Sequence, residues 1–239
     1  MLTNVAPAVA PAPGNSALNL TFSNAVAGTV VDKAGKGTGF TSVQANTAGN
    51  QSVPANINLD TTAGRLMLTS TAGTATNSVN TLQNGLLLSF NGTTKFRQET
   101  RLMGPFTNLT SGAQQNAMFF GTDQNNYVKI EVENVSGGST SLTTWIEKNG
   151  TGSIGQRVTL SNKAAATLDF RLEGNPATNT VQASYRIASD TAAFTNLGTA
   201  VSVPAAWFNQ NSTSGISVSN EGSSTAIVGV YDSFSIKAF

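Results

Sequence analysis

The chain has 239 residues, 10% of them charged and 39% hydrophobic, a length that suits a single all-β sandwich or barrel. Thirteen basic residues against twelve acidic ones give a formal net charge of +1, without the basic footprint that grips a phosphate backbone, so no nucleic-acid partner is expected. Histidine and cysteine are both absent, which removes Ser-His-Asp and Cys-His catalysis, His/Cys zinc or copper centres, and any disulfide framework.

Residues 1–16 are Ala- and Pro-rich, broken by Pro7, Pro11 and Pro13, and read as a linker or tail ahead of a domain spanning 17–239. The same segment could be donated as an added strand to a neighbouring subunit, which would allow self-association. From Ala17 onward apolar positions recur with period two. This predicts strands at 17–23, 39–43, 65–70, 85–90, 95–102, 117–121, 127–135, 141–148, 156–160, 167–173, 180–187, 215–219 and 226–237. Strands at that spacing, separated by turn residues, indicate a sandwich or barrel. Asn91-Gly92 and Asn149-Gly150 tolerate the positive φ of a type I′ turn and are expected to join antiparallel neighbours. A short helix is expected near 204–209. The most apolar runs, 85–90 and 226–231, are strand-sized, so membrane insertion is not expected.

The alternation separates an apolar from a charged face in five strands. Lys95, Arg97, Glu99 and Arg101 oppose Phe96 and Leu102, and Lys129, Glu131 and Glu133 oppose Val128, Ile130 and Val132. Trp145 and Glu147 oppose Leu142 and Ile146, and Asp169, Arg171 and Glu173 oppose Leu168, Phe170 and Leu172. Gln182, Ser184 and Arg186 complete the outward set. The expectation is one antiparallel sheet with a dry side and a charged, solvated side, with 65–70 and 226–237 in the second sheet.

The run Phe119-Phe120-Gly121-Thr122-Asp123-Gln124-Asn125-Asn126-Tyr127-Val128-Lys129-Ile130-Glu131-Val132 resembles the strand, acidic turn and strand of bacterial concanavalin A-like lectin/glucanase domains, the laminin-G-like group included. Gly229-Val230-Tyr231-Asp232-Ser233-Phe234-Ser235-Ile236 is similar to their closing strand, which returns beside the first strand. Gly37-Thr38-Gly39-Phe40 and Leu82-Gln83-Asn84 are similar to the front half of the same domains. The resemblance covers 17–239 and implies an antiparallel jelly-roll β-sandwich whose concave sheet often carries a glycan site.

Three chemistries follow for the residues themselves. Sugar recognition needs an aromatic plane ringed by polar groups. Trp145 on the charged face, with Glu147, Lys129, Glu131, Arg171 and Gln182 around it, is the candidate; the competing reading is a partly buried Trp under a loop. Glycoside hydrolysis needs two carboxyl groups flanking the scissile bond. Glu131 and Glu133 share a face, with Glu147 on the next strand, but Glu131-Val132-Glu133-Asn134-Val135-Ser136 lacks the central Asp and last Glu of the E-x-D-x-(x)-E run that the resembled glucanases carry. The plainer reading pairs these carboxylates with Lys129, Arg101 or Arg171 across strands. Calcium is the one metal this composition could hold, as a structural ion at Asp32, Asp232 or Asp123. The expectation is therefore a non-catalytic, extracellular or cell-surface bacterial module of lectin type, adhering to glycan or cell-surface polysaccharide. The alternative is a self-assembling subunit of an extracellular filament or coat, and the third reading is a glycoside hydrolase.

Overall fold

The period-two pattern becomes strand along most of the chain: the computed structural model, which describes residues 17–47, 51–135, 138–187, 191–223 and 225–239, is 53% strand and 3% helix. In chain order the strands are β1 (Leu18–Leu20), β2 (Ser42–Val43), β3 (Ile57–Asp60), β4 (Arg65–Thr69), β5 (Ala75–Thr76) and β6 (Val79–Asn80). They continue as β7 (Leu86–Phe90), β8 (Phe96–Met103), β9 (Gln115–Asp123), β10 (Asn126–Val135), β11 (Ser139–Lys148) and β12 (Thr151–Thr159). The last six are β13 (Thr167–Asn175), β14 (Thr180–Ile187), β15 (Thr195–Asn196), β16 (Val201–Ser202), β17 (Ser212–Ser219) and β18 (Val228–Ala238). The helix expected near 204–209 is a single 3₁₀ turn, Ala205–Trp207. Among the described residues no helix is long and apolar enough to cross a membrane. The segment 1–16, and with it the linker and strand-donation readings, lies outside the described residues.

Two antiparallel sheets form a jelly-roll β-sandwich. The first runs β15-β14-β13-β8-β18-β4-β3, with β1 also on β18 and β16 on β14; the second runs β12-β11-β10-β9-β17-β7-β2. The hairpin β5–β6 belongs to neither. The closing strand does return beside the first, with Leu18 opposite Ile236 and Leu20 opposite Phe234. Between the sheets lies one apolar core, in which Phe120 meets Phe96 at 5.0 Å, Phe208 at 5.3 Å and Trp207 at 6.2 Å between ring centroids.

Two topological expectations are corrected. The five charged strands do not share a sheet: β8, β13 and β14 lie in the first sheet and β10 and β11 in the second, while 65–70 and 226–237 join the first. Alternation specifies which face of a strand is apolar and is silent about which strand lies beside it, so two sheets with charged outer faces look like one. Asn149-Gly150 does turn β11 into β12, with φ of 52° and 72°. Asn91-Gly92 instead carries the chain from β7 in one sheet to β8 in the other; its Asn side chain accepts from the Thr93 amide and hydroxyl.

On the outer face of the first sheet the charges neutralise one another in rows set by the register of β8, β13 and β14. Arg101 bonds Asp169 at 2.7 and 3.0 Å, with Arg186 on the other side of the same carboxylate. Arg171 bonds Glu99 at 2.7 Å, and Arg97 bonds Glu173 at 2.6 Å.

Asp32 holds the loop before β2 against β3. Its carboxylate accepts from the amides of Ala34 (2.8 Å) and Lys36 (2.9 Å) within the turn, and from that of Leu59 (2.9 Å) in β3. Burial alone would raise its pKa, but these amides and the Lys36 charge outweigh burial and lower it. Asp32→Ala should therefore cost about 3 kcal/mol of unfolding free energy at pH 7, because buried amides lose a charged acceptor. A depressed folded pKa gives stability that is present above the unfolded value near 3.8 and lost as pH falls through the folded one. Denaturant titration at pH 7 and pH 2.5 should show the gap between wild type and variant narrowing in acid.

Candidate functional site

The outer face of the second sheet holds the remaining charges, arranged in rows across its strands. Lys129 of β10 stands between Phe119 of β9 and Trp145 of β11, Glu131 between Ala117 and Thr143, and Glu133 between Gln115 and Ser141. Tyr127 stands beside Glu147, and β12 brings Arg157 next to Thr143. Over this face lies the hairpin β5–β6. Ala75 and Leu82 pack on Tyr127 and Trp145, the Tyr127 hydroxyl donates to the Ala75 carbonyl, and the Asn77 amide donates to Glu147 Oε2 at 2.8 Å. The Thr74 hydroxyl donates to Glu221 Oε1 at 3.0 Å, and that of Thr76 donates to the same oxygen.

The cover changes the chemistry of the face. Glu131 is 2% exposed, Glu133 and Lys129 each 7%, and Glu147 0%, so the solvated strand face expected from alternation is a buried one. Beside the hairpin a cleft of about 240 Å³ remains open, lined by Gln115, Lys129, Glu131, Glu133, Trp145, Arg157 and Glu221 among others. Lys129 Nζ lies 2.9 Å from Glu131 and also donates to Gln115 Oε1. Arg157 donates to Glu133 Oε1 through Nη2 (2.7 Å) and Nε (3.0 Å), and the Thr143 hydroxyl donates to the same oxygen.

Burial is the largest influence on Glu131 and lifts its pKa from the usual 4.5 to about 7; Lys129 opposes the rise, while Glu133 and Glu221 add to it. Burial likewise raises Glu147, against hydrogen bonds from Trp145, Asn77 and Tyr127. Two neighbouring carboxyl groups on one strand therefore sit in contrasting surroundings. Glu131 is desolvated beside an ammonium, and Glu133 is held by a guanidinium fork and a hydroxyl.

Of the six residues grouped from the sequence, the structure brings together Trp145, Glu147, Lys129 and Glu131. Arg171 and Gln182 lie on the first sheet instead. Arg171 stacks on Phe194 at 3.6 Å beside its bond to Glu99, and Gln182 donates to the carbonyls of Ala183 (2.7 Å) and Gly198 (3.2 Å). Trp145 is half-buried beneath the hairpin, with its indole N–H 3.4 Å from Glu147 Oε2. Arg157, Gln115 and Glu221 were not singled out. Arg157 follows a bulge at Thr144/Trp145 that breaks the count of two, and Glu221 arrives on the loop after β17, where no periodicity applies.

The calcium candidates are occupied by their own loops or stand apart. The Asp32 carboxylate is filled by three amides, Asp123 accepts from the Asn125 amide (2.8 Å) and the Asn126 side chain (3.0 Å), and Asp232 lies at the irregularity of β18 between Tyr231 and Ser233. Among the described residues no group of three or more Asp or Glu side chains is arranged to hold a metal ion.

No family model matches the chain, and no curated protein matches it in sequence. Among solved structures it is similar to xylan beta-1,4-xylosidase from Bacillus halodurans C-125, with a TM-score of 0.61 and 13% identity over 77% of this chain and 35% of that one. It is also similar to a mutant of the GH43 protein BlXynB from Bacillus licheniformis, with a TM-score of 0.59 and 14% identity over 74% of this chain and 33% of that one. A third similar structure is the CBM2 module of the Lactobacillus casei BL23 phage J-1 evolved Dit, with a TM-score of 0.54 and 11% identity over 92% and 94% of the two chains. This chain thus spans about a third of the length of the GH43 proteins it resembles. At such identities the likeness establishes the sandwich fold. The expectation of a non-catalytic lectin-type module, and of a chain that is not an enzyme, is corrected by these similar structures, several of which are GH43 glycoside hydrolases.

The buried carboxyl makes stability depend on pH in a stated direction. Glu131 holds its proton more tightly folded than unfolded, so its contribution is greatest below pH 4.5 and declines as pH rises towards 7. Glu131→Gln removes that decline. Between pH 4.5 and 8 wild type should lose on the order of 3 kcal/mol relative to the variant, read by urea titrations at both values.

Proposed function

We propose that this sandwich is a concanavalin A-like glycoside hydrolase domain that acts outside the cell, its cleft on the second sheet taking a segment of a polysaccharide such as xylan. The reading rests on one observation: Glu131 and Glu133 point into the same cleft from one strand, one carboxyl buried and raised to about 7, the other paired with Arg157. Two carboxyl groups held in such contrasting surroundings can divide acid from base work. The likeness to a xylosidase supports the substrate class.

In this reading Glu131 carries a proton at neutral pH and delivers it to the glycosidic oxygen as the bond to the anomeric carbon breaks. Glu133, ion-paired with Arg157, takes a proton from the water that attacks that carbon. Residues two apart on a strand are about 6.6 Å apart, and their side chains stand roughly perpendicular to the sheet. Lys129 draws Glu131 one way along the strand and Arg157 fixes Glu133 across it. The inverting arrangement, which needs roughly 6.5 to 9.5 Å between carboxyl groups to seat a water, is the one this backbone spacing favours.

Reducing-sugar release from xylan and a panel of neutral polysaccharides tests the proposal. Glu131→Gln should lower kcat by roughly 10² to 10⁴ while the variant stays folded, and wild-type activity should fall on the alkaline side of about pH 7 as Glu131 loses its proton. A wild-type chain inert on every polysaccharide, or a Glu131→Gln variant of undiminished activity, overturns the assignment.

A further inference from the structure

The open cleft does not end at the hairpin. Gln115 and Lys129, which line it, also line a void of about 10 Å³ beneath Ala75 and Leu82, room for about one water. The floor of that void is Phe119 and Tyr127, 3% and 2% exposed, and its rim is Gln44, Ser217 and Ser219. Trp145 stands next in the same face, across Lys129 from Phe119. An aromatic strip edged by amides and hydroxyls is the composition that holds a sugar ring, with CH groups against the rings and hydroxyls on the polar rim. Here it is covered by two small apolar side chains.

β5 and β6 pair over only two residue pairs and join neither sheet. Such a hairpin is marginal in isolation. Its apolar contacts form a cluster separate from the main core, limited to Ala75, Leu82, Tyr127 and Trp145. What fastens it is polar: hydroxyls of Thr74 and Thr76 on Glu221, the Asn77 backbone amide on Glu147, the Tyr127 hydroxyl on the Ala75 carbonyl, the Gln124 amide on both backbone groups of Leu82, Thr47 on the Asn80 carbonyl, the Gly152 amide on the Asn77 side chain, and the Ser219 hydroxyl on the Gly73 carbonyl. Sugar hydroxyls can replace each of these donors or acceptors.

We propose that the Phe119–Tyr127–Trp145 strip is a second glycan subsite, closed by β5–β6, into which a polysaccharide chain seated in the cleft extends when the hairpin lifts. The proposal rests on the glycoside hydrolase reading and adds to it a length requirement. A ligand confined to the open cleft leaves the hairpin in place, and a longer one displaces it. The apparent affinity of the longer ligand is reduced by the fraction of molecules with the hairpin lifted, so loosening the hairpin strengthens binding of long ligands alone.

The test uses xylobiose and xylohexaose as probes. In the wild-type chain, amide hydrogen exchange over residues 74–82 should accelerate about tenfold at saturating xylohexaose and stay unchanged with xylobiose. Leu82→Ser, which weakens the hairpin's apolar hold, should tighten the apparent Kd for xylohexaose by about threefold to tenfold and leave that for xylobiose within about twofold. Xylohexaose that is bound or cleaved while 74–82 stays protected overturns the subsite and leaves the hydrolase reading standing. So does a Leu82→Ser variant that shifts both ligands equally. Failure to bind or cleave either oligosaccharide overturns the subsite, and a chain that is also inert on every polysaccharide of the panel overturns both.

Discussion

A lysine and a glutamate 2.9 Å apart, both nearly shut off from water on what would otherwise be the outside of a sheet, set the character of this molecule. Desolvation makes such a pair costly, and it persists only where further polar partners share the charge. Gln115 Oε1 accepts a hydrogen bond from Lys129, and the rings of Tyr127 and Trp145 lie 5.7 and 6.0 Å from its ammonium. Each partner arrives on a different strand, so the register of β9, β10 and β11 must hold for the pair to be tolerated at all. The sandwich core, with Phe120 at its centre, keeps that register from the other side of the same strands.

The two outer faces show how the same residue types acquire different chemistry. On the first sheet, Arg97, Arg101, Arg171 and Arg186 meet Glu99, Asp169 and Glu173 in rows, with the Phe194 ring on Arg171 and Arg186 and the Phe239 ring on Arg97. Water reaches and screens the Arg97–Glu173 and Arg171–Glu99 pairs, which serve mainly to hold register, while Asp169, 5% exposed, is clasped by two arginines. On the second sheet a ten-residue stretch, 73–82, folds back over the charges and excludes water. The contrast comes from the cover and not from composition.

That distinction explains what could be read from the residues alone. The alternation Val128, Ile130, Val132 against Lys129, Glu131, Glu133 locates the inner face of β10 and, repeated along the chain, the all-β sandwich. It also places Lys129, Glu131, Trp145 and Glu147 on one face, because they lie on two strands paired in antiparallel register. Arg171 and Gln182 share the same outward phase but sit in the other sheet, and partner choice between strands is a tertiary matter that period two does not encode. The hairpin was illegible for a related reason. β5 and β6 are two residues each, too short for alternation to register, and the carboxylates they cover are more than forty positions away in the chain.

The closing strand has a consequence for how such a domain is carried. β18 pairs with β8 along one side, and along the other its first half pairs with β4 and its second half with β1. Leu18 and Ile236 are opposite one another, so the path into the sandwich and the path out of it run side by side, about 5 Å apart. A fold with that property needs only one doorway in a host. It can be spliced into a surface loop of a larger protein without prising the loop open, and its own entry and exit can be joined and the chain reopened at an exposed turn such as Asn149-Gly150 while every strand pair is kept.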